Sequence, residues 1–177
     1  MRRTANQGRL PDLVILKQRG DAPQSLVDTT LKRGKALFGD IMHWPGVTGM
    51  RILSVTSEVY PFVKTGGLAD VTGALPKALQ AFGIVTITLI PGYPALLPMA
   101  RAGAPLATFE NLLGETATIW LMQTDELTML VLDIPALYER PGSLYVDEHG
   151  RDFEDNWKRF AALSLAAARI ANGDLPG

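Results

Sequence analysis

Short apolar runs and one helical pattern alternate along the chain from residue 50 onward. Residues 51–57, with an apolar run at 52–55, and the largely apolar residues 84–90 are segments of strand length. Residues 68–82, between them, carry apolar side chains at helical spacing: Leu68, Val71, Leu75, Leu79 and Phe82. Pro76 should kink this helix or shift its start, and Gly83 should end it. A strand, a helix and a strand in this order predict an α/β fold with a parallel sheet.

The pattern that follows predicts a hairpin and one further helix. Residues 116–123 and 127–133 are two strand-like segments separated by a short polar turn, which is typical of a β-hairpin. The last helix should begin near Asp152 and run to about Ala171, with Gly173 ending it. On helical spacing, we expect its inner side to consist of Phe153, Trp157, Phe160, Ser164 and Ala167.

Size and composition fit one soluble globular domain. The chain has 177 residues, of which 47% are apolar and 20% charged. A net charge of −1 argues against nonspecific electrostatic binding to nucleic acid or to an acidic membrane surface. No apolar run approaches the roughly 20 residues that a membrane span needs. The chain has no cysteine, which excludes disulfides and fits a cytoplasmic location.

The first 49 residues differ from the rest in charge. Residues 1–49 contain eight Lys or Arg, four Asp and no Glu, for a charge of +4, whereas residues 50–177 carry −5. Their only regular patterns are a short strand at residues 13–16 and a weak helix at residues 26–42. They match neither a secretory signal nor a plastid transit peptide. We expect a basic, poorly ordered extension, with a regulatory or docking arm as the alternative.

The segment after the first apolar run has the composition of a phosphate-binding loop. Lys64 is followed by Thr65, Gly66 and Gly67, and the helical pattern begins at once. Glycines let backbone N–H groups approach an anion, and a helix N-terminus offers unpaired donors at the positive end of its dipole. Lysine adds a mobile positive charge. On spacing alone, an ordinary strand-to-helix turn is an equal alternative.

The wider sequence resembles bacterial glycogen synthases and plant starch synthases. The resemblance lies in MRILSVTSEVYPFVKTGGLADVTGALPKAL, LIPGYP, LDIPALYERPGSLY and DNWKRFAALSLAAARI, which occur in the family's order between residue 50 and the end of the chain. It implies a Rossmann-like amino-terminal lobe of a two-lobed glycosyltransferase of the GT-B type. This lobe is incomplete here, and residues 50–177 are then a partial amino-terminal catalytic domain.

The resemblance also implies roles in substrate binding. Lys64 matches the family lysine that contacts the phosphates of ADP-glucose, and Gly66 and Gly67 supply backbone donors. Asp70 matches a position in the sugar and acceptor cleft, although a carboxylate in the first helical turn is favourable in any helix.

Three further residues are candidates for sugar contacts. Glu58 and Tyr60 either line a sugar pocket or shape the loop that carries them. Asp155, with Asn156, resembles a family motif at the cleft, and simple acidity at a helix start is the alternative. The loop before this helix should also face the cleft; its polar and aromatic residues include Tyr138, Arg140 and Tyr145. Arg140 can instead pair with Glu139 or Asp147.

By resemblance, the complete enzyme transfers glucose from ADP-glucose to the non-reducing end of an α-1,4-glucan, with no cofactor and no catalytic metal. Most nucleotide contacts come from a carboxyl-terminal lobe that is missing here, so we expect this chain to be inactive alone. The alternative is a non-catalytic remnant or split-gene partner that binds glucan or nucleotide sugar weakly. No complete catalytic set and no cluster with metal-ligand spacing occurs in the sequence.

Overall fold

The computed structural model describes residues 50–175 and, for residues 14–17, the backbone. The weak helix predicted at 26–42 lies outside the described residues. The elements are β1 (Val14–Lys17), β2 (Arg51–Val55), α1 (Gly67–Gln80), β3 (Val85–Pro91), α2 (Leu97–Ala100), β4 (Pro105–Leu112), β5 (Glu115–Gln123), β6 (Thr128–Asp133), α3 (Pro135–Tyr138) and α4 (Asn156–Ala171). The predicted short strand near residue 13 is present as β1.

One mixed sheet contains all of these strands, in the order β1-β2-β3-β6-β5-β4. The first four are parallel, with Leu53 opposite Ile87 and Ile90 opposite Val131. The last three are antiparallel, because β5 and β6 form the predicted hairpin and β4 pairs with β5. The α/β class and the parallel pairing are thus confirmed. Strand β4 and the short helices α2 and α3 were not predicted.

The core lies where α4 packs on the sheet. The central strands β3 and β6 are buried along nearly their whole length, as expected for strands covered on both faces. Leu53, Leu89 and Leu132 are each at most 1% exposed, and they share one cluster with Ala166 and Ile170 of α4. Burying a side chain of this size contributes about 1.5–3 kcal/mol. This rigid core fixes the strand ends from which the loops leave.

Two hydroxyl groups interrupt the apolar interior of β3. Thr86 and Thr88 are 7% and 0% exposed, and their Oγ1 atoms have no hydrogen-bond partner within the described part of the chain. They alternate along the strand with Ile87 and Leu89, which join the core cluster with α4. They therefore belong to the opposite face of the sheet, and α1 is the helix that packs against β3 there.

The apolar stripe predicted for α1 is only partly buried: Leu68, Leu75 and Leu79 are half-buried. Val71 and Phe82 are 62% and 80% exposed, and the buried residues of this helix are Ala69, Thr72 and Pro76. The helix packs through small residues because its backbone runs close to the preceding loop: a Cβ on Gly73 would lie 2.7 Å from the Tyr60 carbonyl oxygen. Pro76 neither breaks the helix nor shifts its start.

The predicted inner side of α4 is also largely wrong. Trp157 is 70% and Phe160 43% exposed, although Ala167 is buried as expected. The helix begins at Asn156 rather than near Asp152, because Asp152 forms a β-bridge with Val146. The buried face consists instead of small and aliphatic residues and one arginine: Arg159, Ala162, Leu163, Ala166, Ala167, Ile170 and Ala171. Gly173, with φ 84°, ends the helix as predicted.

Candidate functional site

The candidate site is built on the β2–α1 loop, residues 56–66, at the carboxyl end of β2. Val59 and Val63 exchange two backbone hydrogen bonds of 2.9 Å, and both side chains are buried. The Tyr60 N–H donates to the Ala69 carbonyl at 3.0 Å, which ties the loop to the first turn of α1. Because these anchors hold the middle of the loop, residues 64–67 are presented at the surface where the helix begins.

Lys64 and Asp70 form an ion pair across the start of α1. The Lys64 Nζ donates to Asp70 Oδ1 at 2.7 Å and to Oδ2 at 2.8 Å. The two side chains are 45% and 54% exposed, so their attraction is screened and contributes at most about 1 kcal/mol. The ammonium also lies 5.8 Å from the ring centroid of Tyr60, which is itself exposed. Three predicted site residues therefore lie together, around a lysine that is free to exchange partners.

The two glycines leave open space at the helix start. A Cβ built on Gly66 or Gly67 would meet no atom within 4 Å, so no packing constraint in the described structure requires glycine at either position. Gly66 is the N-cap residue, and its N–H donates to Glu58 Oε2 at 3.2 Å. Gly67 is the first helical residue, and its N–H has no partner within the helix. Of the two backbone N–H groups predicted to bind phosphate, that of Gly66 thus already donates to the Glu58 carboxylate.

Glu58 is a buried carboxylate that accepts hydrogen bonds from two loops. It is 3% exposed; Oε2 accepts from the Thr65 N–H at 2.8 Å, and Oε1 accepts from the Thr65 hydroxyl at 2.6 Å and the Tyr145 hydroxyl at 2.7 Å. Burial raises the pKa of Glu58, but the hydrogen bonds from Thr65, Tyr145 and Gly66 outweigh it and hold the pKa below its ordinary value. The carboxylate is therefore charged at neutral pH.

Asp155 lies at the start of α4 and pairs with Arg140. The guanidinium donates to Asp155 Oδ1 at 2.9 Å and to Oδ2 at 2.6 Å. The hydrogen bond from Arg140 holds the pKa of Asp155 below its ordinary value, against a smaller opposing effect of burial. The alternative partners predicted for Arg140 are wrong, because Glu139 binds Arg101 and Asp147 binds Arg151.

A chain of hydrogen bonds links α4 to the β2–α1 loop through Tyr145. The Asn156 Nδ2 donates to the Tyr145 carbonyl at 2.8 Å, and the Tyr145 hydroxyl lies 2.9 Å from Ser57 Oγ and donates to Glu58. Glu58 and Asn156, which come from two separate predicted parts of the cleft, are thus joined through Tyr145 in one hydrogen-bond network. Thr65, whose side chain and backbone both bind Glu58, was not predicted as part of it.

Arg159, a buried residue of α4 beside this network, was also not predicted. It is 4% exposed, donates to the Leu137 carbonyl at 2.9 Å and to Asn156 Oδ1 at 2.7 Å, and lies 4.6 Å from the Phe153 ring centroid. Burial lowers its pKa from the ordinary value. An arginine within a helical pattern is usually solvent-exposed, so no local sequence signal predicts that Arg159 is buried.

Two other kinds of feature are absent from the described residues. No group of three His, Cys, Asp or Glu side chains there is placed to hold a metal ion. No helix described in residues 50–175 has the length and apolar character required to cross a bilayer. The site is therefore defined by an exposed lysine, a glycine-rich helix start and a hydrogen-bonded carboxylate, on an α/β sheet. This combination is typical of α/β proteins that bind anionic ligands at strand ends.

Comparison with known proteins assigns the family. The family model of the starch synthase catalytic domain matches residues 51–176. A glycogen synthase of Rhizobium johnstonii is 57% identical over 128 residues, and one of Rhizobium leguminosarum bv. trifolii is 58% identical over 128 residues. Each match covers 72% of this chain and 27% of the relative. The chain thus spans about a quarter of the length of these relatives.

A solved structure has the same fold. The catalytic domain of starch synthase IV from Arabidopsis thaliana, bound to ADP and acarbose, superposes with a TM-score of 0.52 at 23% identity. The match covers 71% of this chain and 26% of that chain. The chain belongs to the starch synthase catalytic domain family, and the resemblance to glycogen and starch synthases is confirmed.

Proposed function

We propose that this chain forms part of the donor site of a glycogen synthase, an enzyme that transfers glucose from ADP-glucose to the non-reducing end of an α-1,4-glucan. The observation that carries the proposal is the placement of Lys64 and the Gly66–Gly67 pair at the start of α1. Residues 50–177 are then part of the catalytic domain, preceded by the basic extension of residues 1–49. The absence of cysteine suits a reducing compartment, so we place the reaction in the cytoplasm.

The chemistry requires stabilisation of a departing diphosphate. When the bond between glucose and ADP breaks, negative charge grows on the phosphate oxygens, and fixed N–H dipoles and cations lower the energy of that state. The start of α1 offers the Gly67 N–H and the positive end of the helix dipole, and Lys64 is beside it. Both belong to one short segment that the anchors at Val59 and Val63 hold in place.

The ion pair of Lys64 with Asp70 gives a specific route for donor binding. A phosphate that approaches the start of α1 competes with Asp70 for the ammonium. Since both side chains are about half exposed, that exchange costs little. Asp70 is then released to accept hydrogen bonds from hydroxyl groups of a sugar. Asp155 and Tyr60 are proposed sugar contacts, and a second lobe supplies the remaining nucleotide contacts.

ADP binding to the 177-residue chain tests this role, with calorimetry as the measurement. Lys64→Ala should weaken ADP binding about tenfold, the loss expected for one charge-assisted contact to phosphate. Lys77→Ala is the matched control, because Lys77 lies in the last turn of α1, away from the helix start, and pairs with Glu126 on the exposed surface. Equal ADP affinity in the wild type and Lys64→Ala would remove Lys64 from the donor site.

A further inference from the structure

Glu58 is a buried acid held by neutral donors. None of the ion pairs among the described residues includes it. Its two carboxylate oxygens instead accept four hydrogen bonds, from the Thr65 N–H, the Thr65 hydroxyl, the Gly66 N–H and the Tyr145 hydroxyl. Because the side chain is 3% exposed and both oxygens are engaged, it has little capacity left for a sugar hydroxyl.

The donors come from two places that are far apart in the chain. Thr65 and Gly66 lie between Lys64 and Gly67 in the β2–α1 loop. Tyr145 belongs to the loop between α3 and α4, and it is 87 residues from Glu58. The carboxylate therefore joins the two loops at one point.

Tyr145 is itself held in place from α4. Its ring stacks on Phe160 with centroids 6.2 Å apart, and its carbonyl accepts the hydrogen bond from Asn156. The hydroxyl thus reaches Glu58 from a supported position. A second contact, with Ser57 Oγ at 2.9 Å, fixes its direction.

We infer that Glu58, Thr65 and Tyr145 form a clamp that holds the β2–α1 loop in the shape that presents Lys64 and the Gly67 N–H to a diphosphate. The link to a diphosphate rests on the proposed function; the clamp itself rests on the four hydrogen bonds. Glu58 and Tyr145 are in this sense positioning residues, which act on the ligand through the backbone of residues 64–67.

The clamp should respond to acid. Protonation of Glu58 removes the charge that its four donors stabilise, so the hydrogen bonds from Thr65 and Gly66 weaken together. Around Glu58, the titratable groups are Tyr145 and Tyr93, and burial raises the pKa of both tyrosines. Lys64 and Asp70, on the same loop and helix, are paired with each other. Glu58 is the carboxylate to which the Thr65 and Gly66 N–H groups donate, so these two amides report its protonation.

Amide proton NMR of the 177-residue chain tests the clamp. The Thr65 and Gly66 N–H signals should move together as pH falls, with one midpoint below the ordinary glutamate value. Tyr145→Phe and Thr65→Val should each raise that midpoint by about one pH unit, the effect of losing one hydrogen bond to a charged acceptor. Thr65→Ser, which keeps the hydroxyl, should restore it.

Tyr60→Phe is the control for hydroxyl removal in the same loop, and it should leave both amide midpoints unchanged. Independent movement of the two amides, or an unchanged midpoint in Tyr145→Phe, overturns the clamp. Adding ADP gives the second measurement: Tyr145→Phe should weaken ADP binding about three- to tenfold at neutral pH. If the midpoints shift as expected but Tyr145→Phe binds ADP as tightly as the wild-type chain, the clamp stands and its link to the diphosphate is refuted.

Discussion

Thr88→Val should stabilise the protein, although it changes a fully buried residue of a central strand. The Thr88 side chain is 0% exposed, and its hydroxyl has no hydrogen-bond partner among the described residues. Valine has nearly the same shape and favours strands. The substitution therefore removes the desolvation penalty of an unpaired hydroxyl without leaving a cavity.

The magnitude follows from that penalty. An unsatisfied buried polar group costs about 1–3 kcal/mol, so we expect a gain of about 1 kcal/mol in the free energy of unfolding. In a domain of this size, that corresponds to a rise of about 4 °C in Tm. Urea unfolding followed by circular dichroism should show a higher midpoint with an unchanged slope.

Thr72→Val is the matched control, and its effect should have the opposite sign. The Thr72 hydroxyl donates to the Glu58 carbonyl at 2.6 Å, and the side chain is 8% exposed. Its removal leaves that contact unmade and should cost about 1 kcal/mol. Destabilisation by Thr88→Val, or equal stability of the two variants, would refute the assignment of an unpaired hydroxyl to β3.

Three further outcomes are expected. Gly73→Ala should lower the free energy of unfolding by about 2 kcal/mol, because the alanine Cβ would lie 2.7 Å from the Tyr60 carbonyl oxygen. This loss outweighs the better helix propensity of alanine. A urea titration that shows a gain in stability would contradict this close approach. Asp155→Asn should lower the free energy of unfolding by about 1 kcal/mol at pH 7. The difference from the wild type should shrink as pH falls below about 4, because a lowered pKa stabilises the folded state only while the carboxylate is charged. Thermal melts that show a pH-independent difference would argue against the pair with Arg140. The 177-residue chain alone should transfer no labelled glucose from ADP-glucose to glycogen, and incorporation above a heat-killed control would show that it is sufficient for catalysis.

Elements with strong local signals were predictable from the sequence. Gly83 ends α1 with φ 72°, and the turn between β5 and β6 lies where the polar residues are. The position of Lys64 between a strand and a helix start follows from the apolar run and the two glycines. These features depend on backbone preferences within a few residues, which composition reveals.

Which side of a helix faces inward depended on the fold as a whole. Periodicity marked Val71 and Phe82 as an apolar stripe, yet small residues made the contact because Gly73 brings α1 close to the Tyr60 loop. The contact of Tyr145 with Glu58 spans 87 residues and depends on the path of the chain. Local patterns carry no information on such a pair.

Trp157 gives this region a built-in optical probe. Its indole is 70% exposed and follows Asn156, the residue that supports the Tyr145 backbone. Trp120, in contrast, is partly buried and donates to Asp133 at 2.9 Å. Emission from a solvent-facing indole is sensitive to quenchers and to any ligand that covers the ring. Subtracting the spectrum of Trp157→Phe would therefore report events at the start of α4 without an added label.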